Sequence, residues 1–212
     1  MLSRTAAFLL LVITAASEPA VAQTSETRVA VTGAGLLSVQ PVDDFYVGPV
    51  GPYLDKGLGG AGPGASAGLT VVTDGRLALT FEYSTAWLAV EQAGRLVSGG
   101  RGRGRLRDSM LTALVGAHTG MGATTTQALA GISRLMTTPT SSGDPIDDPG
   151  TDSRRLVFTA GLDVVTRLGS RSSLVVSGRG YFVDRSARTR ELGVGRYIFR
   201  ISAGLRVALN PH

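Results

Sequence analysis

The segment RYIFRISAGLRVAL, residues 196–209, is the part of the sequence that decides the fold. Every odd-numbered position from 197 to 209 is apolar, whereas Arg200, Ser202 and Arg206 lie at even-numbered positions. Successive side chains of a β-strand point to opposite sides, so a period of two predicts an extended strand with one apolar and one polar face.

Alternation of this kind recurs along the whole chain. We predict eight strands, at residues 27–40, 61–72, 76–90, 105–118, 122–135, 156–166, 172–183 and 197–209. In the fourth and fifth of these, the apolar residues do not separate cleanly onto one face. Each strand is long enough for a tilted bilayer crossing, which takes about 9 to 11 residues, whereas strands of soluble proteins average about 5 or 6.

Composition agrees with a β-rich chain of a single domain. The 212 residues are 43% hydrophobic and 17% charged, with 29 glycines, which disfavour a helix bundle. Because the chain has no cysteine, disulfides, thiol catalysis and cysteine metal sites are excluded. No apolar run approaches the roughly 18 residues of a membrane helix.

The first residues have the pattern of a secretory leader. Arg4 precedes an apolar run at 6–16, and Ala20-Val21-Ala22 has the small residues that precede signal-peptidase cleavage. We expect residues 1–22 to be a signal peptide and 23–212 a barrel domain. The leader holds one Arg and one Glu, so the mature chain keeps the net charge of +5.

The connections between the predicted strands alternate in length. Short links at 73–75, 119–121 and 168–171 contain the Gly and Asp residues that hairpins use, whereas the links at 41–60, 91–104, 136–154 and 184–194 are long. This alternation is typical of an outer-membrane barrel with short periplasmic turns and long extracellular loops. The predicted fold is therefore an all-β, eight-stranded antiparallel up-and-down transmembrane β-barrel.

The two faces of these strands meet different surroundings. We assign the face of Leu77, Phe81 and Trp87 to lipid, with Trp87 and Tyr197 in an aromatic girdle. Charged residues of both signs lie on the opposite faces and should form one paired network in the lumen; they are Glu82, Asp163, Arg179, Arg200 and Arg206. Because an eight-stranded barrel is just wide enough for side chains to fill it, we expect a plugged lumen.

These features resemble the small eight-stranded outer-membrane barrel proteins, the OmpA/OmpX-like class. The resemblance covers residues 27–209 and is carried by the processing site at Ala20–Ala22, the alternating connections and the closing strand. It implies insertion by the barrel-insertion machinery and a location in the bacterial outer membrane, with no reaction implied. The chain departs from the class at its end, which reads Leu209-Asn210-Pro211-His212 without a final aromatic residue.

Two charged segments are candidate binding sites. Arg101, Arg103, Arg105 and Arg107 would lie on one side of an extended chain, where their guanidinium groups could bind lipopolysaccharide phosphates or remain solvated. Secretion and the lack of interleaved aromatic residues argue against nucleic acid. Four aspartates at 144, 147, 148 and 152 fit no EF-hand spacing, and we interpret them as a surface loop.

Catalytic and metal-site patterns are weak. Residues 64–68 read GASAG, the spacing of a nucleophile elbow around Ser66, but a strand and a turn follow instead of a helix. His118 and His212 are the only histidines, so a general base is scarce and a zinc site is not expected. We expect no cofactor, no metal and no enzymatic activity.

The sequence favours a monomeric barrel in the outer membrane with a structural or interaction role through its extracellular loops. Its partners would be outer-membrane lipid and lipopolysaccharide. Three alternatives remain open at this point: a narrow passive channel, a soluble periplasmic ligand-binding barrel with the aromatic face of the third strand around a cavity, and a membrane acyl hydrolase using Ser66 and His118.

Overall fold

Eight antiparallel strands form the part of the chain described by the computed structural model, which comprises residues 27–41, 57–73, 76–93, 103–121, 123–140, 153–183 and 197–209. In chain order the strands are β1 (Arg28–Gln40), β2 (Gly57–Thr73), β3 (Leu77–Ala93), β4 (Arg103–Met121), β5 (Thr124–Pro139), β6 (Ser153–Arg167), β7 (Ser172–Phe182) and β8 (Tyr197–Ala208). All eight strand predictions are confirmed.

The sheet closes on itself. Each strand pairs with the next along the sequence, and β8 returns to β1, where Val39 is opposite Phe199 and Val31 is opposite Val207. Closure supplies every strand with two neighbours, which is the condition for placing β-structure in lipid, where unpaired backbone groups are costly. No helix of the described residues is long and apolar enough to cross a membrane.

The two ends of the barrel differ. The connections β2–β3, β4–β5 and β6–β7 are short and lie at one end, called here the short-turn end, together with the start of β1 and the end of β8. In one of these turns, the Leu168 and Gly169 amides donate to the Ser172 carbonyl at 2.9 and 3.1 Å. The longer connections leave from the opposite end, called the loop end.

Five strands extend further toward the loop end than the alternation predicted. β2 begins at Gly57 instead of residue 61, and β3 continues to Ala93; β4, β5 and β6 are longer at the same end. Backbone pairing with a neighbouring strand, as between Gly57 and Ala93, holds these extensions in the sheet, so they need no apolar alternation of their own. The leader, its processing site and the four aspartates at 144–152 lie outside the described residues.

The apolar face of β3 lies on the outside of the barrel. Leu77, Leu79, Phe81, Tyr83 and Trp87 are between 45% and 53% exposed, whereas Ala78, Thr80 and Ser84 between them are buried. Similar apolar residues are exposed on every other strand, from Val31 on β1 to Val207 on β8. The soluble-barrel alternative required this face to surround a cavity, and that hypothesis is wrong.

Strands β4 and β5 carry apolar residues on both faces. On β4, Leu111 and Val115 are exposed outside, whereas Leu106, Met110 and Leu114 are buried inside. Their pattern was unclear in the sequence because parts of the lumen are themselves apolar, so inward positions do not require polar side chains there.

Candidate functional site in the barrel lumen

Four of the predicted lumen charges meet in what is called here the central charge cluster, formed by Glu82, Asp163, Arg179 and Arg206. Arg179 donates to both carboxylates, with 2.5 Å from Nη1 to Asp163 Oδ1 and 3.2 Å from Nη2 to Glu82 Oε2. Arg206 Nη2 lies 3.1 Å from the other oxygen of Asp163. Asp163 thus bridges two guanidinium groups, and the four formal charges balance.

The strands position this cluster through their register. Asp163 on β6 and Arg179 on β7 both point inward, and Arg179 is opposite Gly161 in the ladder. A Cβ atom at position 161 would lie 2.8 Å from both Cδ and Nη1 of Arg179. The missing side chain therefore leaves the space in which Arg179 reaches Asp163 two residues further along β6.

Neutral polar groups complete the cluster. Arg206 Nε donates to Thr32 Oγ1 and its Nη1 donates to Gln127 Oε1, both at 3.1 Å. The sequence pattern did not single out Gln127, because the faces of β5 were ambiguous. Both arginines are almost entirely enclosed, at 5% and 8% exposure.

Arg200 lies apart from the other lumen charges. Its Nη1 donates to Ser84 Oγ at 2.6 Å, its Nη2 donates to the Asp108 carbonyl at 3.0 Å, and its guanidinium lies 5.5 Å from the Tyr181 ring centre. Arg200 is six residues from Arg206 on the same strand, about 20 Å along an extended chain. Within the described residues, the predicted lumen charges therefore lie in two separate places, the central charge cluster and the surroundings of Arg200, where a single network was predicted.

A group of apolar side chains packs in the lumen toward the loop end, alongside buried polar residues such as Asp108 and Thr137. Six residues on β4 to β8 and at the end of β7 pack there with at most 5% exposure, and they are called the apolar layer: Met110, Leu135, Val157, Tyr181, Val183 and Ile198. A second buried group, Leu36, Ala86, Leu88 and Leu106, lines β1, β3 and β4. Sequence reasoning missed this layer; the apolar residues on both faces of β4 and β5 were its only local signal.

Two cavities lie in the part of the lumen that the described residues enclose. The larger, about 150 Å³, opens at the short-turn end and is called the mouth cavity. The smaller, about 20 Å³, lies beside the central charge cluster and has room for about one water molecule. Arg206 and Thr70 border both cavities.

The predicted aromatic girdle residues lie on the outer surface near the loop end. Trp87 is 51% and Tyr197 is 36% exposed. Tyr197 also stacks in a row of outer aromatic rings, at 5.8 Å from Phe182 and 6.4 Å from Phe199 between ring centres. The described outer surface near the loop end therefore carries a row of aromatic rings, as an aromatic girdle would require.

Arg105 and Arg107 project outward on β4, as the extended arrangement predicted, and both are exposed. Arg107 is opposite Trp87 in the ladder and Arg105 is opposite Ala89. Arg103 belongs to the same strand, but its side chain is outside the described part, as is all of Arg101.

Ser66 and His118 are far apart. Ser66 pairs with Ser84 and Ser84 pairs with Met110, whereas His118 is eight residues further along β4. Eight extended residues span about 26 Å, so the two side chains cannot exchange a proton. The acyl-hydrolase alternative based on this pair is therefore wrong. Within the described ranges, no group of three or more His, Asp or Glu residues could hold a metal ion.

We expect Glu82→Gln to destabilise the barrel by about 1–2 kcal/mol, because Arg179 loses one charge-assisted partner but keeps Asp163. The measurement is urea-dependent unfolding in phospholipid vesicles, with the fraction in the membrane scored alongside. Unchanged unfolding would show that the contact at 3.2 Å contributes nothing to stability.

Comparison with known proteins rests on the fold. No protein-family profile and no curated protein sequence matches the chain. Among solved structures it is similar to the outer membrane protein OprG of Pseudomonas aeruginosa, with a TM-score of 0.62 and 12% identity over 87% of this chain and 96% of that chain.

Two other structures of the same architecture match. Ail of Yersinia pestis, in complex with the heparin analogue sucrose octasulfate, gives a TM-score of 0.52 at 10% identity, covering 87% of this chain and 99% of that chain. Neisserial surface protein A gives 0.50 at 12% identity with the same coverages. By its closed barrel of eight strands and these likenesses, the chain has the fold of the small eight-stranded outer-membrane β-barrels.

Proposed function

We propose that this chain is a bacterial outer-membrane protein with a closed lumen, which acts through its loops and outer rim instead of conducting solutes. The supporting observation is the order of layers inside the barrel. The mouth cavity ends at Arg206, the central charge cluster follows, and the apolar layer comes next toward the loop end.

Each layer opposes passage for a different reason. Ion-paired guanidinium groups in the central charge cluster donate to several acceptors and do not move aside at low cost. The side chains of the apolar layer supply only one polar group, the Tyr181 hydroxyl, so a hydrated ion would lose water there without equivalent replacement. A narrow passive channel would need both layers to rearrange.

Location and conductance are tested together. Outer membranes from expressing cells, run unheated and boiled on a denaturing gel, should contain the protein with heat-modifiable migration. Purified protein in planar lipid bilayers should give no discrete current steps, while a general porin under the same conditions does. Regular steps from the wild-type protein would favour the narrow channel, and protein found soluble in the periplasm would refute the membrane location.

We further propose that the outer rim near Trp87 binds lipopolysaccharide phosphates through Arg105 and Arg107. These exposed guanidinium groups lie beside an exposed aromatic side chain, which suits the boundary between apolar chains and phosphates. A barrel of the same fold, Ail, is known in complex with a heparin analogue, which supports testing polyanions at such a surface.

We expect the double variant Arg105→Gln, Arg107→Gln to bind purified lipopolysaccharide about tenfold more weakly in calorimetric titration, because charge-assisted contacts are lost. Arg134→Gln is the matched control, since Arg134 is exposed on the same outer wall but opposite Leu111, four residues deeper along β4 than Arg107. Equal weakening in both variants would indicate a general charge effect, and the rim site would be discarded.

A further inference from the structure

The mouth cavity has a basic lining that neither the lumen closure nor the rim proposal uses. Its volume is about 150 Å³, and its walls include Arg28, His118, Arg167, Arg171 and Arg206. No aspartate or glutamate among the described residues lines it. The lining therefore concentrates positive charge in a small concave space.

Among the described residues, the carboxylates that line the adjacent smaller cavity are already ion-paired. Asp163 and Glu82 belong to the central charge cluster, where their charges are balanced by Arg179 and Arg206. Within the described ranges, Arg167 and Arg171 have no carboxylate partner. They supply the net positive charge of the cavity that a ligand would meet.

The backbone holds these two arginines in place. The Arg167 amide donates to the Ala123 carbonyl at 2.8 Å, which ties the end of β6 to the β4–β5 turn. The Arg171 carbonyl accepts from the Ala208 amide at 2.8 Å, which ties the β6–β7 turn to β8. Both side chains thus start from points fixed by the barrel, as a preorganised site requires.

Size and access define the class of ligand. A cavity of about 150 Å³ is comparable to one that holds a benzene molecule, so a group as small as phosphate fits. Guanidinium groups bind phosphate and carboxylate oxygens through paired hydrogen bonds. The cavity opens inside the barrel mouth and not onto the outer apolar face, so its ligand arrives from water.

We propose that the mouth cavity is a binding site for a small soluble oxyanion, of the phosphate or carboxylate class, held mainly by Arg167 and Arg171. Arg206 and Gln127 form the inner wall of the site, and their mutual hydrogen bond at 3.1 Å closes it toward the central charge cluster. The site is independent of conduction, because its ligand enters and leaves through the same opening.

The test is calorimetric titration of the full mature barrel in a nonionic detergent with sodium orthophosphate, with sodium chloride of equal ionic strength as reference. We expect saturable phosphate binding that Arg167→Gln and Arg171→Gln each weaken about tenfold. Arg134→Gln, which removes an exposed arginine from the outer wall, should leave the affinity within about twofold.

Heat-modifiable migration establishes that each variant is folded before it is titrated. No saturable binding by the wild-type protein, or equal affinities in all variants, would overturn the proposal. A parallel titration with short-chain phosphatidic acid distinguishes binding of soluble phosphate from binding of a lipid headgroup phosphate. Binding of the lipid without binding of orthophosphate would also overturn it, because the ligand would then come from the membrane.

Discussion

Asp163→Ala should lower the free energy of unfolding by about 3–5 kcal/mol, the largest effect we expect from a single lumen substitution. Asp163 is fully buried and holds Arg179 and Arg206 through different carboxylate oxygens. Its removal leaves two enclosed guanidinium groups with only Glu82 to compensate them, and burial of uncompensated charge is costly.

The measurement is urea-dependent unfolding in phospholipid vesicles near pH 7, followed by the gel shift between folded and unfolded forms. Thr112→Ala is the matched control, because Thr112 is equally buried in the lumen but only shares a hydroxyl hydrogen bond of 2.7 Å with Ser133. We expect that control to cost about 1 kcal/mol. Should Asp163→Ala cost no more than the control, the central charge cluster would not be a source of stability.

If the Asp163→Ala protein does not insert into the membrane, Asp163→Asn provides a second test of the same expected loss of stability. The amide preserves the size of the side chain but removes the negative charge, so most of the loss should remain. A lumen that hydrates and relaxes around the two arginines would instead give a small effect in both variants.

Phe81→Arg should destabilise the membrane-inserted barrel by about 2–4 kcal/mol, the cost of a basic side chain facing lipid near the middle of the bilayer. Phe81 is 53% exposed on the outer face, between Leu79 and Tyr83 on the same face. In a water-soluble barrel, the same substitution would replace an exposed aromatic by a charge and leave stability nearly unchanged.

Unfolding in vesicles is again the measurement, with Leu168→Arg as control. Leu168 is also exposed, at 60%, but it lies in the short β6–β7 turn and should tolerate the charge. A Phe81→Arg protein that is as stable as the Leu168→Arg protein would contradict the assignment of this face to lipid.

The number of strands and the direction of their faces could be read from local patterns. On β3 and β8, alternation alone separated the outward Phe81 and Phe199 from the inward Glu82 and Arg200. Alternation works there because the side-chain period of a strand is two wherever one face meets lipid and the other meets polar groups. The short connections with Gly and Asp marked the strand ends by equally local chemistry.

The interior was harder to predict. Arg200 was grouped with the other lumen charges because it shares their face, yet it contacts Ser84 and Asp108 well away from Asp163. The inward face of one strand contributes side chains to several layers of the lumen. Alternation tells which face a side chain is on, but not how far along the barrel axis it lies. The apolar layer was missed for a related reason, since Met110 and Leu135 occupy inward positions at which the lumen is filled by apolar side chains.

By itself, the sequence determined that this chain forms eight two-faced strands with alternating short and long connections, because those properties depend on neighbours within a few residues. Only the tertiary structure decided which charges meet. Glu82 and Arg179 are 97 residues apart in the chain, and their 3.2 Å contact depends on the stagger of every strand between them and on closure through β8 and β1. Strand stagger is a property of the closed sheet as a whole, so no local pattern encodes it.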